Sequence, residues 1–281
     1  MPKVIIQDLQ QCKAQGRRIA MLTAYDYPMA KLLDEAGVDI VLVGDSLGMV
    51  VLGYVSTTPV TMEEMIHHAK AARRGVKQAL LIGDMPFLSF RGSTADAVTN
   101  AARFIQEAGC DAVKVEWKPG IEDVVKAIVD AGIAVMGHVG LTPQTAQAEG
   151  GFGMRGKEAD SALRLIGQAT ALAEVGCFSI VLECLPDEVA AEIATRLAIP
   201  TIGIGSGPHC DGQVLVTYDL LGLFERFTPK FVKRYAELSS VVRQAALAYV
   251  QDIRSGAFPG PAQTVLMKSE ELSKFREELG R

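Results

Sequence analysis

Residues 95–140 read ADAVTNAARFIQEAGCDAVKVEWKPGIEDVVKAIVDAGIAVMGHVG, and this stretch decides the fold. Its first part carries apolar residues at helical spacing up to Ala108; Gly109 follows, and then a short β-rich run at 112–116. The unit repeats at once, with a helical segment over 121–131, Gly132, and a second apolar run at 134–138. A glycine just past a helix takes the left-handed backbone without a Cβ clash, so each stops a helix and turns the chain into a strand. Strand, helix, strand in steady alternation predicts a parallel sheet with helical crossovers.

The same unit extends in both directions. Further apolar runs lie at 19–24, 39–44, 80–84, 179–183, 201–204 and 214–217. Helical patterns cover 28–36, 62–74, 95–108, 121–131, 158–175 and 188–197, and Gly37, Gly75 and Gly176 stand where Gly109 and Gly132 do. Thr61, Thr94 and the Leu185-Pro186-Asp187 turn supply helix starts. Eight nearly continuous apolar strands favour an α/β fold closed into a (βα)8 TIM barrel over an open doubly wound sheet. No Gly-x-Gly-x-x-Gly follows the first strand; Gly203, Gly205 and Gly207 match that fingerprint loosely and read equally as a tight turn or a ligand cradle. Residues 229–255 form one long helical pattern, and the tail from Gly256 opens with Phe258-Pro259-Gly260-Pro261 and ends in a short charged helix. The expected organisation is one barrel domain, 1–260, with a C-terminal helical arm, 261–281.

Composition excludes several function classes. A net charge of -5 gives no footprint for nucleic acid, and the basic run from Lys230 to Arg234 reads as the solvated face of a helix. The 5 cysteines form no Cys-x-x-Cys pair, and no secretory leader is evident, so reduced thiols and a cytoplasmic location are expected. No apolar run reaches the roughly 18 residues of a membrane span.

Chemistry is expected at the C-terminal ends of the strands, the active face of a barrel. Asp45, Asp84, Glu116 and Glu183 all fall there. Any one alone reads as a cap or loop carboxylate, but four in one mouth repel, and a divalent cation relieves that cost. Oxygen-only ligation selects a hard ion such as Mg²⁺, and Asp45, Asp84 and Glu116 lie on consecutive strands able to share it. Lys114 shares the inward face with Glu116, since side chains two apart on a strand point the same way. It reads either as a structural ion pair or as the cation for a substrate carboxylate or developing oxyanion. Ser46 sits at a turn where its hydroxyl could receive a carboxylate, with no partner base for nucleophilic catalysis. Glu183, set apart from the three presumed ligands, is free to act as a base. His138 could donate a hydrogen bond in the site or be a satisfied core histidine; His67 and His68 lie mid-helix, one of them facing solvent or a subunit contact, and His209 is left open.

Eight runs in order then carry a specific resemblance: TAYD (23–26), VGDSLGM (43–49), GDMPF (83–87), VKVE (113–116), GHVGLTPQ (137–144), LECLP (182–186), IPTIGIG (199–205) and CDGQVLV (210–216). The chain resembles the ketopantoate hydroxymethyltransferase family. The resemblance implies a barrel of the phosphoenolpyruvate/pyruvate type and a homo-oligomer, often a decamer. It implies one Mg²⁺ per subunit held through Asp45, Asp84 and Glu116. The keto acid 3-methyl-2-oxobutanoate would contact Asp45, Ser46, Asp84 and Lys114, and Glu183 would be the proton acceptor. The one-carbon donor would be 5,10-methylenetetrahydrofolate and the product ketopantoate, on the path to pantothenate. Trp117-Lys118 departs from the small residues usual in the family after the glutamate. Related barrel lyases carry a Lys-Lys-Cys-Gly-His-type loop that is missing here. A non-catalytic barrel would have no use for a mouth crowded with acids.

Overall fold

Eight parallel strands pair in chain order, and the first pairs with the last to close a barrel. They are β1 (Ile19–Thr23), β2 (Ile40–Val43), β3 (Leu80–Asp84), β4 (Ala112–Glu116), β5 (Val135–Gly140), β6 (Ser179–Glu183), β7 (Thr201–Ile204) and β8 (Gly212–Leu215). The helices are α1 (Ile6–Gln15), α2 (Tyr27–Glu35), α3 (Leu47–Val50), α4 (Met62–Gly75), α5 (Thr94–Gln106), α6 (Ile121–Asp130), α7 (Ala159–Glu174), α8 (Asp187–Arg196), α9 (Thr217–Leu220), α10 (Leu238–Ser255) and α11 (Ser269–Glu278). This computed structural model describes residues 2–148 and 150–280, so Met1 and Arg281, the outer ends of the two expected ranges, lie outside the described residues. Closure rules out the open sheet. Among the described residues no helix is long and apolar enough to cross a membrane.

Strand alternation sorts the core into two layers. Val41, Val43, Leu81, Val113, Val115, Ile180 and Leu182 point outward and pack against the helices. Ile40, Leu42, Leu80, Ile82, Ala112, Met136 and Val181 point inward and fill the lower barrel. Leu9 and Cys12 of α1 join that inner cluster and close its floor. The sequence pattern did not isolate α1, because this 10-residue helix has only a weak apolar stripe.

The glycines divide into two roles. Gly37, Gly109, Gly132 and Gly176 have φ between 70° and 105° and end helices as expected. Gly75 does not: it is the last residue of α4, and a Cβ there would lie 2.6 Å from the Tyr27 carbonyl oxygen and 2.7 Å from the Lys31 nitrogen. Its smallness lets α4 approach α2. Gly205 and Gly207 have φ of 64° and 73° and form the turn after β7. Thr61 caps α4 with Glu64 in a reciprocal box, while the cap of α5 is Ser93, one residue before the expected Thr94.

The long helical pattern over 229–255 is corrected: α10 begins only at Leu238, so the Lys230 to Arg234 run is not helical. Tertiary hydrogen bonds take that backbone instead, from the Tyr235 N–H to the Leu220 carbonyl and from the Leu238 N–H to the Leu221 carbonyl. Beyond them α10 and α11 hold no buried residue.

Candidate active site

Where the inward columns reach the mouth, they change from apolar to ionisable. On β3 the inward residues run Leu80, Ile82, Asp84; on β4, Ala112, Lys114, Glu116; on β5, Met136, His138. Register sets Asp84 beside Lys114 and Glu116 beside His138. Gly83 and Gly137 alternate with them and face outward, where a Cβ would run into Phe104 and into Leu172 and Ile180. The helices therefore pack tightly behind the C-terminal halves of these strands.

Contacts link the charged groups into one assembly. The Lys114 ammonium donates to Asp84 Oδ1 at 2.7 Å, with the two side chains 5% and 3% exposed. The Asp45 backbone N–H points at Asp84 Oδ2, 3.3 Å away. Gln144 donates through Nε2 to Asp45 Oδ2 at 3.0 Å and to the Met85 carbonyl at 2.9 Å, and through its backbone N–H to Glu116 Oε2 at 3.2 Å. Arg91, its guanidinium over the Phe87 and Phe90 rings, stands 3.7 Å from Glu116 Oε2. His138 lies between two acids, with Nε2 3.3 Å from Glu183 Oε2 and Nδ1 3.8 Å from Glu116 Oε1.

Burial sets the electrostatics. It pushes Asp45 up to about 7, with the Asp84 charge adding to the rise and Lys114 and the Gln144 hydrogen bond opposing it. Burial likewise raises Glu116 well above its usual range, against the pull of Lys114. For Lys114 burial favours the neutral amine, but Asp84, Glu116 and Asp45 outweigh it and keep the ammonium. Burial and the nearby Lys114 lower His138, which leaves it neutral at pH 7.

Ser46 stands at the start of α3 with Oγ 2.9 Å from the hydroxyl of Tyr25. Burial pushes the Tyr25 phenol up, so it remains a protonated partner for that serine. Glu183 ends β6 with its side chain 15% exposed, the most accessible acid among those just described. The next residue, Cys184, has φ of 53°, a left-handed backbone that is rare for a residue with a side chain and stores strain beside Glu183. The other histidines stand apart: His68 Nδ1 is 2.6 Å from the Tyr25 carbonyl, His67 is exposed, and His209 pairs with Asp187 at 3.4 Å on the surface.

The donor set suits a hard dication. The mouth offers oxygen donors without thiolate, its acids outnumber the Lys114 charge, and Glu116 Oε1 is buried without a hydrogen-bond partner. Among the described residues no group of three or more acidic, His or Cys side chains is arranged to hold a metal ion; Lys114 engages Asp84, and Gln144 spans Asp45 and Glu116. Hard ions commonly complete their shell with ligand oxygens, so a cage made by protein alone is not required. Gln144 and Arg91 were missed as site residues. Gln144 ends a quoted run, yet nothing in its spacing says that its side chain and its backbone N–H join two strand-end acids.

Comparison with known proteins places this arrangement. The family model described as ketopantoate hydroxymethyltransferase matches residues 3–261. A 3-methyl-2-oxobutanoate hydroxymethyltransferase of Carboxydothermus hydrogenoformans is 52% identical over 275 residues, 98% of this chain and 100% of that protein. One of Desulfotalea psychrophila is 54% identical over 264 residues, 94% of each chain. Among solved structures, phosphonopyruvate hydrolase complexed with oxalate and Mg++ superposes with a TM-score of 0.61 at 14% identity, covering 99% of this chain and 96% of that one. The 2,3-dimethylmalate lyase, of the PEP mutase/isocitrate lyase superfamily, gives 0.60 at 15% identity, covering 100% and 98%. Those structural likenesses carry the barrel type alone. The sequence match, spanning nearly the whole barrel with its strand-end acids, shows that the chain belongs to the ketopantoate hydroxymethyltransferase family.

Proposed function

We propose that this protein transfers the one-carbon unit of 5,10-methylenetetrahydrofolate to 3-methyl-2-oxobutanoate, giving ketopantoate and tetrahydrofolate, the first step toward pantothenate, in the cytoplasm. The observation that carries the reading is the pairing of an accessible acid, Glu183, with buried neutral His138 beside a mouth whose deeper acids and ammonium are already engaged with one another.

Glu183 takes the proton from C3 of the keto acid. His138, within 3.3 Å, orients that carboxylate. Lys114, kept cationic by its acids, offers positive charge to the substrate carboxylate or to the oxygen on which the enolate charge develops. Ser46, with Tyr25 behind it, supplies a hydroxyl to the carboxylate. A Mg²⁺ ion held through Asp45, Asp84 and Glu116, one per subunit, would supply Lewis acidity to the keto group. The C3 carbon bonds to the donor's methylene carbon, both C–N bonds to that carbon break, and one water supplies the hydroxyl; the water's other proton and the proton taken from C3 go to the two nitrogens of the departing tetrahydrofolate. Assembly into a homodecamer belongs to the same reading: Val241, Leu247 and Ile253 of α10 and Val265 and Leu266 beyond it are exposed apolar residues that a second copy would cover.

The test is deuterium uptake at C3 of 3-methyl-2-oxobutanoate, followed by proton NMR without the folate donor. Uptake is expected in the wild type, lost with chelator, and cut by about 10²- to 10⁴-fold in Glu183→Gln. Undiminished uptake in that variant would remove Glu183 from the role of base.

A further inference from the structure

The seam where the barrel closes carries a row of buried hydroxyls that ends at the mouth. Thr23 is the last residue of β1, and Thr217 opens α9, just beyond β8. The Thr217 N–H donates to Thr23 Oγ1 at 3.0 Å, and the Thr217 hydroxyl donates to the Thr23 carbonyl at 2.6 Å. Thr23 is joined in turn, side chain to side chain, to the Tyr25 hydroxyl. That hydroxyl lies 2.9 Å from Ser46 Oγ. Thr217, Thr23 and Tyr25 are buried, while Ser46 is only partly covered. The tyrosine is fixed independently of this row: Tyr218 meets its ring edge to face at 5.6 Å, and its carbonyl accepts from His68 Nδ1 at 2.6 Å. Gly44 makes room for the serine, since a Cβ there would stand 2.9 Å from Ser46 Oγ.

A row of hydroxyls can run either way unless one end is fixed, because each can donate or accept. Here the Thr217 end is fixed. An N–H only donates, so Thr23 Oγ1 is the acceptor at that contact. The Thr23 hydrogen remains to be placed, and a hydroxyl buried this deeply spends it on an acceptor. The Tyr25 oxygen is the side-chain partner that can take it. The Tyr25 hydrogen then goes to Ser46 Oγ, and the phenol retains it at neutral pH, since burial pushes its ionisation up. Ser46 therefore keeps its own hydrogen for whatever enters the mouth. Reversed, the row would spend the serine hydrogen on Tyr25 and the tyrosine hydrogen on Thr23. The Thr23 hydrogen would then lose the phenol oxygen as its acceptor. Each bond polarises the next, so the serine at the end becomes a better donor.

We infer that Tyr25 and Thr23 are positioning residues that make Ser46 an obligate hydrogen-bond donor, aimed at the carboxylate of the keto acid. The inference rests on the transferase reading above and deepens it: the closing seam of the barrel selects an anionic acceptor at Ser46. Both residues act through the serine, so their loss weakens the hold on the substrate and leaves proton removal at C3 to Glu183.

The test follows C3 exchange by proton NMR over a range of 3-methyl-2-oxobutanoate concentrations at saturating Mg²⁺. In Tyr25→Phe, which keeps the ring and its packing, KM should rise by about threefold to tenfold, the worth of one hydrogen bond, with kcat within about twofold of wild type. Thr23→Val should move KM in the same direction, and Thr23→Ser, which restores the hydroxyl, should return it to within about twofold of wild type. On a Ser46→Ala background, Tyr25→Phe should change KM by less than about twofold, because the hydroxyl it directs is gone. A loss of packing alone would act on that background as it does in the wild type. An unmoved KM in Tyr25→Phe, or its full effect persisting on Ser46→Ala, overturns the inference, and both are readable even if Thr23→Val fails to fold. Absent exchange in the wild type overturns the transferase reading and this inference with it; normal exchange with an unmoved KM overturns the inference alone.

Discussion

The two ends of the barrel interior are built from the same strands and obey opposite rules. At the floor, Ile40, Ile82, Met136 and Leu9 belong to one buried hydrophobic cluster. One strand repeat higher, Asp84, Lys114, Glu116 and His138 are just as buried and are ionisable. A buried methyl group stabilises wherever it packs, but a buried charge does so only through named partners. The floor can therefore be changed without touching the chemistry, and the mouth cannot be changed without exposing an unbalanced charge.

The strongest way to break this contrast is Lys114→Met. Asp84 would lose its 2.7 Å partner while remaining buried, and removal of one member of such a pair costs about 3–5 kcal/mol. Urea unfolding should report that loss together with the loss of turnover, and Lys114→Met/Asp84→Asn should recover most of the stability and none of the activity. A double variant as unstable as the single one would show that Lys114 supports the fold by packing alone.

The floor offers the converse. Ile82→Ala, two residues below Asp84 on the same strand, should cost about 2–5 kcal/mol in urea and leave kcat of the surviving folded enzyme within about twofold. A kcat that drops in proportion to stability would mean that the two ends are mechanically coupled and the contrast is false.

The smallest effect sharpens the comparison through pH. Asp45 in the fold titrates at about 7, above its ordinary 3.8. The stability this proton confers is complete below the ordinary value and is lost as pH rises through about 7. A dication needs the ionised carboxylate and competes with that proton. The rise in Tm on adding Mg²⁺ should therefore be larger at pH 8 than at pH 6, by about 2–4 °C for each kcal/mol gained. A shift that shrinks as pH rises, or that persists in Asp45→Asn, would take Asp45 out of the ion's ligands.

Much of this was legible in the amino-acid order. Helical spacing, terminal glycines and apolar runs placed eight strands to within a few residues, because local backbone preference and burial act over short distances. The period of two put Lys114 and Glu116 inward and Val113 and Val115 outward, since strand geometry fixes the direction of each side chain. Identity at the strand ends singled out Asp45, Asp84, Glu116 and Glu183 for the same reason. Tertiary structure alone decided the rest. Gly75 became a helix contact instead of a stop, residues 229–237 surrendered a helical pattern to hydrogen bonds with the α9 region, and Gln144 came to bridge Asp45 and Glu116 across 99 and 28 positions of chain. Each depends on which atoms closure of the barrel brings into contact, and periodicity, which describes one segment at a time, carries no information about that.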